Sequence, residues 1–129
     1  MSHWSKGKVK IKDLLTLDMV AKKKGLTIHK AQKGDTIRMH STYAGEVDCE
    51  RIYSHNHGEV GVYRQADGSY TTIMDNYHNP IVQKIGPSAS YLMREYSTEI
   101  VHAQAMSMGG VIASQEILKD GSVEVEIQI

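Results

Sequence analysis

Two histidines one residue apart, His55 and His57, lie in the stretch RIYSHNHGEVGVYRQADGSYTTIMD (51–75), with Arg51, Tyr53, Tyr63 and Arg64 around them and Tyr77 just beyond. Residues two apart on a strand point the same way, so Arg51, Tyr53, His55 and His57 would line one face if the strand extends that far. Two imidazoles with Cys49 or Asp48 would then complete a tetrahedral zinc set. Against this, the chain holds no Cys-x-x-Cys or His-Glu-x-x-His spacing, and Arg51 repels a cation, so no metal is expected. The contiguous His-Asn-His is not the nuclease of that name, which draws its residues from separate elements of a hairpin-plus-helix unit.

A second chemistry is hydrolysis. His3-Trp4-Ser5 and His40-Ser41-Thr42 both fit the His-x-Ser/Thr pattern that phosphodiesterases use in pairs, one imidazole as base and the other as acid. One lies at the extreme start and the other beside a loop, where buried alternating strands with apolar flanks would be needed. A third chemistry is capture of an anionic, ring-bearing ligand such as a nucleotide. Guanidinium and aromatic planes stack on bases, and charge-assisted hydrogen bonds hold phosphates. Arg51, Tyr53, His55, His57, Tyr63, Arg64 and Tyr77 are the candidate binding residues. A plainer alternative stands beside it: Tyr63 and Tyr77 pack under a helix, and both arginines pair with Glu50 or Glu59.

These residues are placed by a legible series of elements. Lys8, Lys10 and Lys12 alternate with Val9 and Ile11, the pattern of a half-buried strand over 7–12. Asp13 caps a helix that stops at Gly25 behind three lysines. Strands are expected at 26–31, 36–40, 49–55, 60–65 and 69–74, the last two joined by an Asp67-Gly68 hairpin. After Asn79-Pro80 and Gly86-Pro87, a helix carries Leu92, Tyr96, Ile100 and Ala103 on one face and ends at Gly109-Gly110. A closing hairpin ends with Val123, Val125, Ile127 and Ile129 alternating with Glu124, Glu126 and Gln128. The order is β-α-β-β-β-β-α-β-β, an α+β chain with a mostly antiparallel sheet and two helices on one face. If the acidic last strand neighbours the lysine strand, Glu124 and Glu126 oppose Lys8 and Lys10.

The 129 residues, 40% of them hydrophobic, suit one domain over 1–129. Phe is absent, and seven Tyr and seven Met supply the large side chains instead. A single cysteine rules out an internal disulfide, and no apolar run approaches the roughly 20 residues that span a bilayer. A cytoplasmic location is therefore expected, with no membrane partner. The net charge of +0 hides an asymmetry, because residues 1–40 carry ten Lys or Arg against three Asp. No arginine-rich tract or duplex-reading motif accompanies them, so binding to duplex nucleic acid is not expected.

The opening MSHWSKGKVKIKDLLTLDMVAKKKGL, the centre GVYRQADGSYTTIMDNY and the tail YLMREYSTEIVHAQAMSMGGVIASQEILKDGSVEVEIQI resemble the hypothetical-chloroplast-reading-frame thirty-five family. This is a domain of unknown function found in plastids, cyanobacteria and phages. The likeness leaves residues 27–57 uncovered and implies a fold without an agreed activity. Its occurrence in phages implies one specific role: an oligomeric sponge of the anti-CBASS kind, which sequesters a cyclic-dinucleotide immune signal without cleaving it. The sequence thus leads to a small, non-catalytic, cofactor-free binding protein that self-associates. The alternatives are a phosphodiesterase using His3 and His40, and a regulatory subunit that binds another protein.

Overall fold

The computed structural model describes residues 4–6, 10–32, 35–39, 47–77, 79–117 and 123–128. Helix α1 (Leu14–Lys23) starts where expected. Asp13 Oδ1 accepts from the Thr16 amide at 3.1 Å, and Thr16 Oγ1 donates to Asp13 Oδ2 at 2.7 Å. It ends in a Schellman motif: Gly25, at φ +78°, donates to Lys22 O, and Leu26 donates to Ala21 O. Glycine is needed there because the left-handed backbone carries a steric cost for any residue with a Cβ.

Five strands form the main antiparallel sheet in the order β1 (Trp4–Lys6), β7 (Tyr70–Asp75), β6 (Gly58–Arg64), β5 (Arg51–His55), β2 (Thr27–Lys30). The helices cover one face. Leu17, Val20 and Ala21 of α1, Ile85 of α2 (Val82–Ile85), and Leu92, Met93 and Tyr96 of α3 (Ser90–Ser107) pack on Tyr53, Val60, Val62 and Met74. The Tyr96 hydroxyl accepts from the amides of Lys12 and Asp13, both at 3.1 Å, and so ties α3 to the start of α1. The α+β class and the antiparallel pairing are as the sequence indicates.

Several expected strands are redrawn. The run from Cys49 to His55 divides at Glu50. Val47–Cys49 is β4, paired with β3 (Ile37–Met39) in a separate small sheet, while Arg51–His55 joins the main one. The β3–β4 hairpin lies on the face opposite the helices, where Met39 and Cys49 bury Ile52 and Ile73. It comes so close that a Cβ on Gly61 would stand 2.6 Å from Cys49 Sγ and 2.8 Å from Met39 Sδ, so only glycine fits.

The amino-terminal lysine segment also differs. Residues 4–6 pair with 75–73 and Ile11 bridges Tyr70, while residues 7–9 of the expected strand lie outside the described residues. Among the described residues, strand β9 (Val123–Gln128) does not pair with that segment. It pairs with β8 (Val111–Ile117), in a hairpin that packs on α3. On α3 itself, Leu92 and Tyr96 are buried and Ile100 is half-buried, but Ala103 is exposed and Ala105 is buried in its stead. Leu15, one of the apolar residues opening α1, is 72% exposed because 100° per residue turns it away from Leu14 and Leu17.

Candidate functional site

The seven residues singled out by type fall into five places. Arg51 and Tyr53 do share a face of β5, and it is the helix-covered one. Tyr53 is fully buried, and its hydroxyl donates to Asp18 Oδ1 at 2.7 Å. Arg51 Nε donates to both Asp18 oxygens at 3.1 Å, and its Nη1 donates to Glu50 O at 3.0 Å. Lys30 Nζ stands 3.6 Å from the same carboxylate. Asp18 is thus a buried charge held by a guanidinium, a phenol and an ammonium, the satisfaction a carboxylate out of water requires. Burial first, and then the bond to Asp18, push the Tyr53 phenol far above the usual tyrosine range. Tyr53 is therefore a committed donor inside the core, not an open stacking platform. The alternating pattern located its face but not its cover.

His55 ends β5, and the strand does not continue to His57. Asn56 and His57 adopt φ of 51° and 68°, the two left-handed positions of a two-residue hairpin turn between His55 and Gly58. The His-Asn-His stretch is the bend of a hairpin, and the two imidazoles do not continue one alternating row. Tyr63 faces the other way, packed against the cluster of Met39, Cys49, Ile52 and Ile73. Arg64 is exposed at the end of β6, opposite Tyr70. Tyr77 is 47% exposed in the segment after β7. Among the described residues, no group of three His, Cys, Asp or Glu side chains is placed to hold a metal ion. His3 and His40 lie outside the described residues.

The arrangement around Tyr77 has chemistry that the sequence reading passed over. Asn76 grips the start of α3: Ser88 N donates to its Oδ1 at 2.7 Å, and its Nδ2 donates to Ser88 Oγ at 3.2 Å. Asn79 Nδ2 donates to Asp75 O at 2.8 Å and Glu59 O at 3.1 Å, fixing the chain between them. This grip holds Ser88 and Ala89 at φ of 55° and 59°, two consecutive left-handed residues with side chains. Such backbone costs about 1–2 kcal/mol per residue and persists only where its surroundings enforce it.

Helix α3 begins directly after that bend. No side chain caps it, and its first turn carries no acidic residue. A 3-10 turn, Pro87–Ala89, leads into this 18-residue helix, and the Ser90 amide donates to Pro87 O, so the positive end of the helix dipole stands at this turn. Tyr91, 43% exposed, stands in this first turn, and the Arg94 guanidinium carbon lies 5.3 Å from its ring centre. Gly86 leaves room for that ring, since a Cβ there would be 2.8 Å from it. Arg94 is exposed. The corner between β7 and α3 thus offers a tyrosine ring, a guanidinium and a helix start, with the half-exposed Tyr77 one residue from Asn76.

Asp18, Asn76, Tyr91 and Arg94 were the residues missed. Asp18 had a signal: it stands four residues after Leu14 and three before Ala21, on the stripe that must face the core. Tyr91 and Arg94 also had one, an aromatic and a cation at i and i+3 directly behind a Gly-Pro break. No family model, no curated protein and no solved structure matches the chain. The likeness to the chloroplast-reading-frame family therefore rests on its three motifs. No helix of the described residues is long and apolar enough to cross a membrane.

Proposed function

We propose that the chain is a non-catalytic binding protein that captures an anionic, ring-bearing ligand of nucleotide type, at the corner between β7 and α3. The observation that carries this reading is the exposed Tyr91–Arg94 pair in the first turn of α3, a helix start with no side-chain cap. The positive end of a helix dipole favours an anion beside it. An aromatic ring with a guanidinium beside it stacks on a heterocycle while the guanidinium pairs with phosphate. Relative to the site first read from residue types, the ligand moves from Arg51 and Tyr53, which Asp18 engages, toward Tyr77 and its new neighbours. In its sharper form the ligand is a cyclic dinucleotide, held whole by a phage-type sponge.

A thermal-shift series with adenosine and guanosine monophosphates, cyclic dinucleotides and inorganic phosphate tests it. A ligand at a hundred times its Kd stabilises the folded state by about 2.7 kcal/mol. We expect a nucleotide to raise Tm, phosphate alone to act weakly, and Tyr91→Ala and Arg94→Ala each to weaken binding at least tenfold. Ligand recovered after heat denaturation is expected intact, whereas a phosphodiesterase would release product. If no nucleotide moves Tm, the capture reading fails. The regulatory-subunit reading then takes its place, supported by the exposed Leu15 and Met19 one turn apart on α1.

A further inference from the structure

The carboxy-terminal end of α3 holds two methionines in water. Met106 is 79% exposed and Met108 51%, although methionine ordinarily fills gaps in a core. A thioether left in solvent contributes nothing to packing, and its sulfur stays open as a soft donor. His102 stands four residues before Met106 and is exposed as well. On a helix, residues at i and i+4 have their Cβ atoms about 5–6 Å apart. Long helical side chains lean toward the N-terminus, over the turn before their own Cα, and for Met106 that is the turn of His102. An imidazole nitrogen and a thioether sulfur thus converge on one point outside the helix.

The helix end adds charge of the right sign. Here α3 closes in a Schellman motif, in which Gly110 donates to Ala105 O at 2.9 Å and Gly109 to Met106 O at 3.1 Å. The last turn carries no basic residue, so no side chain of that turn answers the negative end of the helix dipole. A cation is favoured there. Met108 lacks the same arrangement: residue 104, four before it, is Gln, and about 200° of helical rotation turns Met108 away from Met106. Met19 of α1, 44% exposed, has Leu15 four residues before it.

We propose that His102 and Met106 bind a soft monovalent cation, of the copper(I) and silver(I) class, between imidazole nitrogen and thioether sulfur. Thioether donors select such ions over zinc or magnesium, so this pair stands apart from the His, Cys, Asp and Glu sets that hold harder metals. Metal bonds of about 2.0 Å to nitrogen and 2.3 Å to sulfur reach across the gap between the two side chains. Both ligands are neutral, so the ion keeps its positive charge where the helix end favours it. The site lies about 18 Å along the axis from Arg94, at the opposite end of α3, and does not rest on the nucleotide reading.

The test titrates silver nitrate, in chloride-free buffer, into the full-length chain with carbon-13-labelled methionine methyl groups, and follows the seven methyl signals by NMR. We expect the Met106 signal to move first and to saturate, while Met108 and Met19, exposed but without a histidine one turn before them, lag behind. His102→Ala should weaken the Met106 response by roughly tenfold or more, since even a residue that only orients a metal ligand is worth that much. Met106→Leu should remove one bound silver ion from the native mass spectrum. Both variants place good helix formers at exposed positions, so the fold is kept. Silver taken up by the buried Cys49 is read separately at Met39, whose sulfur lies with the Cys49 thiol against Gly61. Magnesium should move none of the signals, because it takes oxygen ligands. A Met106 signal that ignores silver overturns the proposal. So does an equal response at Met108 and Met19, or a Met106 response that His102→Ala leaves unchanged.

Discussion

Replacing Tyr53 by Phe isolates the one hydroxyl that joins the sheet to the buried carboxylate. The ring and its packing against Val60 and α1 are kept, so no cavity forms. What is lost is a 2.7 Å hydrogen bond to Asp18 Oδ1 in a place water does not reach. Hydrogen bonds to a charged group contribute about 1.5–3 kcal/mol net. With an m value of about 2 kcal/mol/M in urea, the unfolding midpoint should fall by roughly 1 M. Circular dichroism at 222 nm against urea reads this directly, and Tyr63→Phe, on the other face, serves as control with a change within about 0.5 kcal/mol. Arg51→Met should cost more, about 3–5 kcal/mol, because it strips a buried charge of its best partner. The two changes act on the same carboxylate, so in combination they should depart from additivity by more than about 0.5 kcal/mol. There is also an alkaline signature. The phenol is raised in the folded chain, so its contribution is complete below the unfolded tyrosine value near pH 10 and is lost as pH climbs beyond it. Tyr53→Phe should therefore flatten part of the stability loss above pH 10. A cost below about 0.5 kcal/mol for Tyr53→Phe, with additive behaviour alongside Arg51→Met, would refute the view that this triad holds a buried charge.

Three further outcomes are expected. Thr72 is fully buried, and its Oγ1 has no hydrogen-bond partner among the described residues, so Thr72→Val, of nearly the same shape, should raise stability by about 1 kcal/mol in the same urea assay. Asp13→Ala removes the cap of α1 and should cost about 0.5–2 kcal/mol at pH 7. The bond from the Thr16 hydroxyl, chiefly, lowers the Asp13 carboxyl below its ordinary 3.8, so its contribution is present above that value and fades as pH falls below it; wild type and variant should converge in midpoint near pH 2. Burial, with Glu59 and Asp48 nearby, pushes the Cys49 thiol up to about 11, so a maleimide at pH 7.5 should label the native chain far more slowly than the urea-unfolded one. Rapid native labelling would show that the β3–β4 hairpin does not stay seated on the sheet.

What could be read from the chain alone was whatever depends on neighbours a few residues apart. Asp13 and Gly25 bracket α1 because a side-chain acceptor and a left-handed turn act on the local backbone. Asp67-Gly68 marks the β6–β7 turn for the same reason, with Gly68 at φ +86°. Two-residue alternation put Arg51 and Tyr53 on one side of one strand, and that is a local fact as well. The α+β class followed from the sum of such signals. Even local reading had its limit at Asn56-His57, where the left-handed turn was disguised by residues that usually read as a strand end and a ligand.

Tertiary structure alone decided which side of each strand is covered. Period-two alternation is identical for a face open to water and a face under a helix, so nothing near Tyr53 in the chain announces Asp18, thirty-five residues earlier. The same holds for Glu50, where one strand-like run is split between two sheets, and for β9, whose charge suits the lysine segment but whose hydrogen bonds go to β8. Pairing between distant segments is settled by burial and loop closure over the whole chain, and these leave no mark on the spacing of residues within any one segment. The i, i+3 spacing of Tyr91 and Arg94 is local, but the corner they occupy beside β7 is made by the contact of Asn76 with Ser88 across twelve residues.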